Sequence, residues 1–340
     1  MSSPESHRSA PVAPDRAGHG FARRDWFEML ARHCFSDSSC LWPRADFPDA
    51  AATLPLIDKG DHASALANYY SFSYAPIVEG APSPERQKAL IRAIAASLRQ
   101  RHDRISFYPL IDDGIIRDGT QITAKIMRDA FAAAGWIALL TDQNSNHYLD
   151  LKGRDFAAYW AQRPSRLQSG VRRKGKSGSL DFAVHDRLTE DLWRDYLAVY
   201  AASWKNAEPF PDMVRAIAED AAARGVLRLA FAREHDGGGA VAVQLWTIEG
   251  RTACVHKMAH STAHDRQSPG TLLSHHMFEH MIDHEPIDRI DYGTGNNAYK
   301  RDWMEDTRPM LRLDCFNPRK ARMWLPALRT RISQLVRRPG

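Results

Sequence analysis

Hydrophobic spacing divides the chain, from about residue 23 onward, into short helices and strands separated by polar, glycine- and proline-containing turns. Trp26, Phe27, Leu30 and Phe35 recur at helical spacing and predict a helix over 23–35. Short apolar runs at 41–42, 53–57 and 65–70, broken by turn residues, predict a small set of strands. Pro82 and Pro84 then introduce a helix on which Leu90, Ile91, Ile94 and Leu98 make one apolar face. A strand over 105–111, a helix over about 120–134 and a strand over 136–141 follow, and 147–151 is strand-like. Residues 155–162 read as a helix, 180–185 as a strand, and 188–205 and 213–224 as helices. Alternation over 226–233 and 240–248 predicts two strands joined by the turn Asp236-Gly237-Gly238-Gly239, with a third at 251–260. Beyond a polar loop, 270–284 is a helix, 287–292 a strand, 298–303 a short helix and 310–316 a strand. From Pro318 the chain is a basic amphipathic helix interrupted near Pro326.

Set side by side, the two parts share an order of elements: helix, three strands, helix, strand, helix, strand. The helix starting at Glu85 corresponds to the one at Gly270, and the strands at Ile105 and Trp136 to those at Ile287 and Met310. This repeat of order predicts a duplicated α/β unit, with halves at 21–150 and 151–317 and a basic helix at 318–340. A length of 340 residues accommodates two such units with a large core and no disulfide staples. Residues 1–20, rich in Pro, Ser, Ala and Gly, read as a disordered tail. They lack the apolar segment of a secretory signal, and no run of 18 apolar residues follows anywhere, so a cytoplasmic protein is expected. Cys34, Cys40, Cys254 and Cys315 form no CxxC pair and no metal-ligand spacing, and reduced thiols are expected. His276, His280 and His284 lie four apart, but on the polar edge of their helix and without an HExxH pattern, so no metal site is expected.

The chemistry concentrates in 251–303. There a strand runs into the loop His264-Asp265-Arg266-Gln267-Ser268-Pro269-Gly270-Thr271 and then a helix. Small residues at a helix start leave main-chain N–H groups unpaired, and the helix dipole adds positive potential, so the loop suits a pyrophosphate, with Arg266 adding a charge-assisted bond. The same residues also make an ordinary helix start, with Ser268 as cap and Pro269 in the first turn. The matching loop of the first half, 79–84, contains Pro82 and Pro84, which donate no N–H, so a single donor site is expected.

The run Ser268-Pro269-Gly270-Thr271-Leu272-Leu273, with Asp291-Tyr292-Gly293 and Tyr299-Lys300-Arg301-Asp302-Trp303 after it, resembles the GNAT-related acetyltransferase domain of CelD-type (cellulose biosynthesis) and FemAB-like proteins. In that family a strand ending in Asp precedes a Gly-containing turn and a Tyr-Lys-x-x-Trp motif. The segments 241–244 and 255–257 are similar to its preceding strands, and 66–71 to its N-terminal region. The likeness spans about 25–320, with the specific motifs in 241–303. Arg266-Gln267-Ser268-Pro269-Gly270-Thr271 keeps only part of the Gln/Arg-x-x-Gly-x-Gly/Ala loop of the superfamily.

The resemblance implies a tandem GNAT-like fold of α/β class with a mixed sheet. It also implies transfer of an acyl group from acetyl-CoA or another acyl-CoA to an amine or amino-sugar acceptor, in exopolysaccharide or cell-envelope metabolism. A FemAB-like transferase taking aminoacyl-tRNA, or a degenerate non-catalytic binding protein, are the alternatives. Such a reaction needs a proton acceptor for the amine, for which Asp291 and His256 are candidates, and a proton donor for the leaving thiolate, for which Tyr299 is the candidate. Lys300 is a candidate for holding the donor phosphates or the oxyanion. Arg266, Gln267, Ser268, Gly270, Thr271 and Leu272 would bind the donor, and Gln244 and Trp303 the acceptor. Each has a plainer alternative: Asp291 can shape a turn, Tyr299 and Trp303 can pack a helix face, and His256 can be a satisfied core histidine. Lys257 shares a face with Ala253, Val255 and Ala259, where a lysine without a partner is costly, which makes it a functional candidate.

Two basic stretches stand apart. Arg163–Lys176 holds six basic residues and no acidic one, which suits an anionic ligand, an acyl carrier or tRNA, or else a solvated face; it has little of the aromatic interleaving of single-strand binders, and nucleic acid is not expected outside the aminoacyl-tRNA alternative. Arg319–Arg338 holds seven basic residues and no acidic one, with Trp324, Leu325, Leu328, Ile332 and Leu335 among them. That pattern fits either a peripheral contact with anionic membrane or a helix capping the second half.

Overall fold

The computed structural model describes residues 20–112, 123–176, 178–235, 237–295 and 299–336. The tail expected over 1–20 therefore lies, save Gly20, outside the described residues, as do Asp236, Ala298 and the start of the helix expected at 120. The first half runs α1 (Arg24–Cys34), β1 (Ser39–Leu41), β2 (Arg44–Phe47), β3 (Ala50–Thr53), β4 (Leu56–Asp58), β5 (His62–Ala65), β6 (Ile77–Glu79), α2 (Pro84–Leu98), β7 (Arg104–Leu110), α3 (Ala124–Ala133) and β8 (Ile137–Asp150). Next come α4 (Phe156–Trp160), α5 (Ser165–Gly175), β9 (Leu180–His185), α6 (Glu190–Ala201) and α7 (Pro211–Ala223). The strands β10 (Leu227–Glu234), β11 (Ala240–Glu249) and β12 (Thr252–His260) precede a 3₁₀ turn at Thr262–Gln267. The chain then runs α8 (Pro269–His284), β13 (Arg289–Thr294), α9 (Lys300–Trp303), β14 (Asp306–Phe316) and α10 (Trp324–Val336).

Local chemistry sets the start of α2 as the sequence implies, whereas Ser268 before α8 is left-handed at φ 56° and makes no side-chain cap bond. Ser83 accepts a hydrogen bond from the Arg86 amide with Pro84 in the first turn, and the α2 face of Leu90, Ile91, Ile94 and Leu98 is buried. Helix α8 starts at Pro269 and buries Leu272, Leu273, Met277, Phe278 and Met281.

Eleven strands form one sheet in the order β1-β4-β5-β7-β14-β8-β13-β12-β11-β10-β9, and β2, β3 and β6 form a small second sheet. The order has an internal symmetry. β7 lies parallel to β5 and antiparallel to β14, while β13 lies parallel to β12 and antiparallel to β8. Each half thus ends on a strand that pairs with the penultimate strand of the other half. The architecture is a mixed α/β sheet built from two like halves joined through exchanged strands. β11 is buried along nearly its whole length because α6 and α8 both pack on it.

Three expectations change. The strands expected at 136–141 and 147–151 are one 14-residue strand, β8. Its polar middle reads as a break in the sequence, yet β14 pairs with it from Ile137 to Tyr148, since ladder hydrogen bonds need no apolar side chains. The run 53–57 divides at Pro55 into β3 and β4, which belong to different sheets. The strand expected at 65–70 is instead the end of β5 and a turn. There Asn68 accepts from the Tyr70 amide through its side chain and from the Ser71 amide through its carbonyl, both at 3.0 Å.

Candidate functional site

Two irregularities on facing strands open the sheet beside α8. β12 and β13 pair in parallel only between Thr252–Cys254 and Arg289–Asp291. On β12 the register against β11 skips His256, so that Leu245 faces Lys257 and Trp246 faces Val255. On β13 the register against β8 slips between Asp291 and Thr294, where Gly293 sits at φ 65°. Gly293 is needed there twice over, since that backbone conformation disfavours other residues and an added Cβ would come within 3.3 Å of the Phe72 ring. Bulges bend strands and end pairing, and beyond Cys254 the β12 main chain has no β13 partner. The gap is a cleft of about 560 Å³.

Asp291 builds this bend. It is 3% exposed, and its oxygens accept from Asn146 Nδ2 at 2.6 Å, the Gly293 amide at 2.7 Å and Arg308 at 2.7 Å. It does not line the cleft, and those three donors leave it no place as a general base. Lys300, 6% exposed, donates to the Tyr292 carbonyl at 2.9 Å and the Thr294 carbonyl at 2.8 Å, fixing the same bend from the cleft side. Burial lowers its pKa to about 8, which Asp291 opposes.

Seven more of the sequence candidates border the cleft: His256, Lys257, Tyr299, Gly270, Thr271, Gln244 and Trp303. Gln244 is fully engaged, donating to Ser274 at 2.8 Å and accepting from the Trp246 indole at 2.9 Å. Trp303 packs its ring 4.8 Å from that of Phe278. The Tyr299 hydroxyl makes no hydrogen bond among the described residues, and burial raises its pKa. His256 contacts the rings of Phe21, Trp26 and Phe72 and shares a 3.0 Å hydrogen bond with Thr247. Burial, then the neighbouring cations Lys257 and Arg224, push its pKa down to about 3, so it is neutral and a weak base.

At the start of α8 the Ser268 amide donates to Asp265, and the Thr271 and Leu272 amides both donate to the Ser268 carbonyl. The Gly270 amide donates to no main-chain group among the described residues, and Gly270 stands at the cleft wall. Leu272 is core, and Arg266, Gln267 and Ser268 do not reach the cleft. Arg266 instead offers its carbonyl to Lys174 of α5. Of the loop expected to bind the donor, only Gly270 and Thr271, in the first turn of the helix, border the cleft.

The sequence requires a partner for Lys257 but does not name it. The partner is Glu208, on the loop between α6 and α7, which also accepts from the hydroxyls of Tyr69 and Tyr200 at 3.1 Å and from Tyr70. Burial alone would raise the Glu208 carboxyl, but the hydrogen bonds of Lys257 and Tyr70 outweigh it and hold the pKa below the ordinary value. Lys257 also lies 4.8 Å from the Tyr70 ring centroid. Beside this cluster Lys205 stands over the rings of Tyr200 and Trp204, and burial, reinforced by Lys257, lowers its pKa to about 8. A second hollow of about 430 Å³, lined by Tyr69, Tyr200, Trp204, Lys205 and Glu208, opens from here. Glu208 escaped the sequence reading because its loop, Asn206-Ala207-Glu208-Pro209, carries no periodicity or motif, and Lys205 because it falls at the end of the helix expected over 188–205.

A helix N-terminus and an unpaired strand edge thus face one cleft between splayed parallel strands. Residues 161–301 match the family model described as an acetyltransferase (GNAT) domain. Among solved structures, FemX superposes with a TM-score of 0.60 at 10% identity, covering 88% of this chain and 93% of that one. The C-terminal DUF2156 domain of a putative lysylphosphatidylglycerol synthetase from Agrobacterium fabrum gives 0.53 at 14% identity, covering 90% and 91%. L-PGS from Bacillus licheniformis gives 0.55 at 10% identity, covering 94% and 99%. At such identities the likeness is one of fold. No curated protein sequence matches the chain. Residues 161–301 are thus similar to a GNAT acetyltransferase domain, and the fold of the chain as a whole is similar to that of FemX.

Proposed function

We propose that this chain transfers an acyl group, acetyl in the simplest case, from an acyl-CoA to the nitrogen of an amine or amino-sugar acceptor in exopolysaccharide or cell-envelope metabolism. The observation that carries the proposal is the single cleft onto which the start of α8 and the free edge of β12 both open. The Gly270 amide and the dipole of a 16-residue helix supply an anchor for the donor's pyrophosphate. The edge of β12 at 255–259 that faces away from β11 supplies hydrogen-bonding groups for the amide-bearing arm of the donor and an N–H for the thioester oxygen. The neutral amine attacks the thioester carbon, the carbonyl oxygen takes up the charge, and the C–S bond breaks as the carbonyl re-forms. Tyr299 donates its proton to the leaving thiolate, and the neutral form of Lys205 accepts the proton lost by the nitrogen. Lys300 and Asp291 act by position, holding β13 away from β12.

Isothermal titration with acetyl-CoA and longer acyl-CoAs tests the proposal, with saturable binding expected; absence of binding to all of them removes it. A second reading, with aminoacyl-tRNA as donor, draws on the basic helix α5, whose Lys174 reaches the Arg266 carbonyl beside the loop before α8. Gel shifts with charged tRNA separate the two donors, and turnover with either rules out a non-catalytic role.

A further inference from the structure

The C-terminal helix does cap the sheet, but with the face opposite to its large apolar residues. Met323 and Ala327, 7% and 5% exposed, pack on Phe316, Ile137 and Leu139, and Gln334 donates to the Leu140 carbonyl. Trp324, Leu325, Leu328 and Ile332 point to solvent at 61%, 55%, 54% and 51% exposure. At 3.6 residues per turn these four fall within one arc of roughly 100°, with Arg331 on one margin and Arg329 on the other. Neither arginine has an acidic partner among the described residues. The Trp324 indole N–H is already taken by the Pro318 carbonyl at 3.0 Å, so the ring offers solvent an apolar surface. No acidic residue occurs from Cys315 to Gly340.

We propose that α10 docks this chain on an anionic lipid surface, lying flat with Trp324, Leu325, Leu328 and Ile332 in the acyl–headgroup boundary and Arg329 and Arg331 among the headgroup phosphates. Cations along both margins of an apolar stripe match the charge of such a surface. They oppose the obvious other occupant, a second copy of the chain, because a twofold contact would bring the same unpaired arginines face to face. Thirteen residues span about 20 Å, enough to lie in the interface but short of a crossing, and among the described residues no helix is long and apolar enough to cross a membrane. The inference is independent of the acyl-transfer reading.

The test is cosedimentation of the full chain with phosphatidylcholine vesicles, with and without phosphatidylglycerol. The chain is expected to pellet with the phosphatidylglycerol vesicles and to be released as salt rises. Leu328→Asp is expected to lower the partition coefficient at least about tenfold, since it places a charge within the apolar stripe. Arg329→Gln with Arg331→Gln is expected to lower it roughly 25-fold, about fivefold per charge. Because these side chains are exposed, thermal melts of the variants should match the wild type; if Leu328→Asp does not fold, the arginine pair decides. No pelleting with phosphatidylglycerol vesicles, or equal pelleting with phosphatidylcholine alone, overturns the proposal. So does a dimer in light scattering that Leu328→Asp dissociates while lipid is not bound.

Discussion

Replacing Glu208 by Gln tests whether the cluster at the cleft mouth is held together by charge. Glu208 and Lys257 have side chains 10% and 12% exposed, so water compensates little when one charge is removed. Breaking a buried pair from one side costs about 3–5 kcal/mol. Against this, Lys257 keeps its contacts with the rings of Tyr70 at 4.8 Å and Tyr69 at 5.6 Å, worth about 1 kcal/mol, and glutamine keeps one accepting oxygen. The net loss is about 2–3 kcal/mol, or a fall of roughly 1 M in the urea midpoint at neutral pH for an m-value of about 3 kcal/mol/M. The pH dependence has a definite sign. The folded carboxyl is held below its ordinary value, so its stabilisation is complete above the unfolded pKa of about 4.3 and disappears as the pH falls through the folded value. The gap between wild type and Glu208→Gln should therefore be full at pH 7 and close in acid. Lys257→Met should cost less, because three tyrosine hydroxyls still donate to Glu208. Urea titrations of the three proteins at several pH values decide the matter. A Glu208→Gln midpoint at neutral pH equal to that of the wild type, or a gap that acid leaves unchanged, would refute the reasoning.

Asp291→Asn should destabilise the fold by about 3–5 kcal/mol through its buried pair with Arg308, and donor affinity should fall with it as the bend at Gly293 relaxes; a stable variant that loses only kcat would make Asp291 a reacting group after all. Tyr299→Phe should lower kcat about 10²-fold and leave the urea midpoint alone, since the hydroxyl bonds to nothing among the described residues; an unchanged kcat excludes it as the acid. Gly270→Ala places a Cβ 2.8 Å from His260 Nδ1, so that the ring, which also borders the cleft, must shift; acyl-CoA affinity measured by calorimetry should fall about tenfold or more, and unchanged affinity would place the donor elsewhere. With an acceptor amine that stays neutral over the range, kcat/KM should fall about tenfold per pH unit below pH 8, as Lys205 becomes protonated. That limb should vanish in Lys205→Met, and its persistence would clear Lys205 of the role.

Periodicity by itself determined most helices and strands, because which face of an element is apolar is written locally: the buried faces of α2 and α8 are those the spacing predicts. Several of the motif residues around 270 and 291–303 border one cleft. Lys257 announced, through the cost of burying an unpaired charge, that a partner existed. What the sequence could not determine was whatever depends on register between distant strands. β8 is one strand because β14 lies along it, and no local signal shows a polar segment paired with a strand so distant in the chain. The single skipped residue at His256 and the left-handed Gly293 decide which side chains face the cleft, and a slip of one residue reverses that choice. Asp291, read as a candidate base, became a structural bolt once Arg308 and Asn146 reached it across the sheet. Glu208 came to Lys257 on a loop without pattern. Chain chemistry chose the elements; pairing between remote strands chose which charges meet.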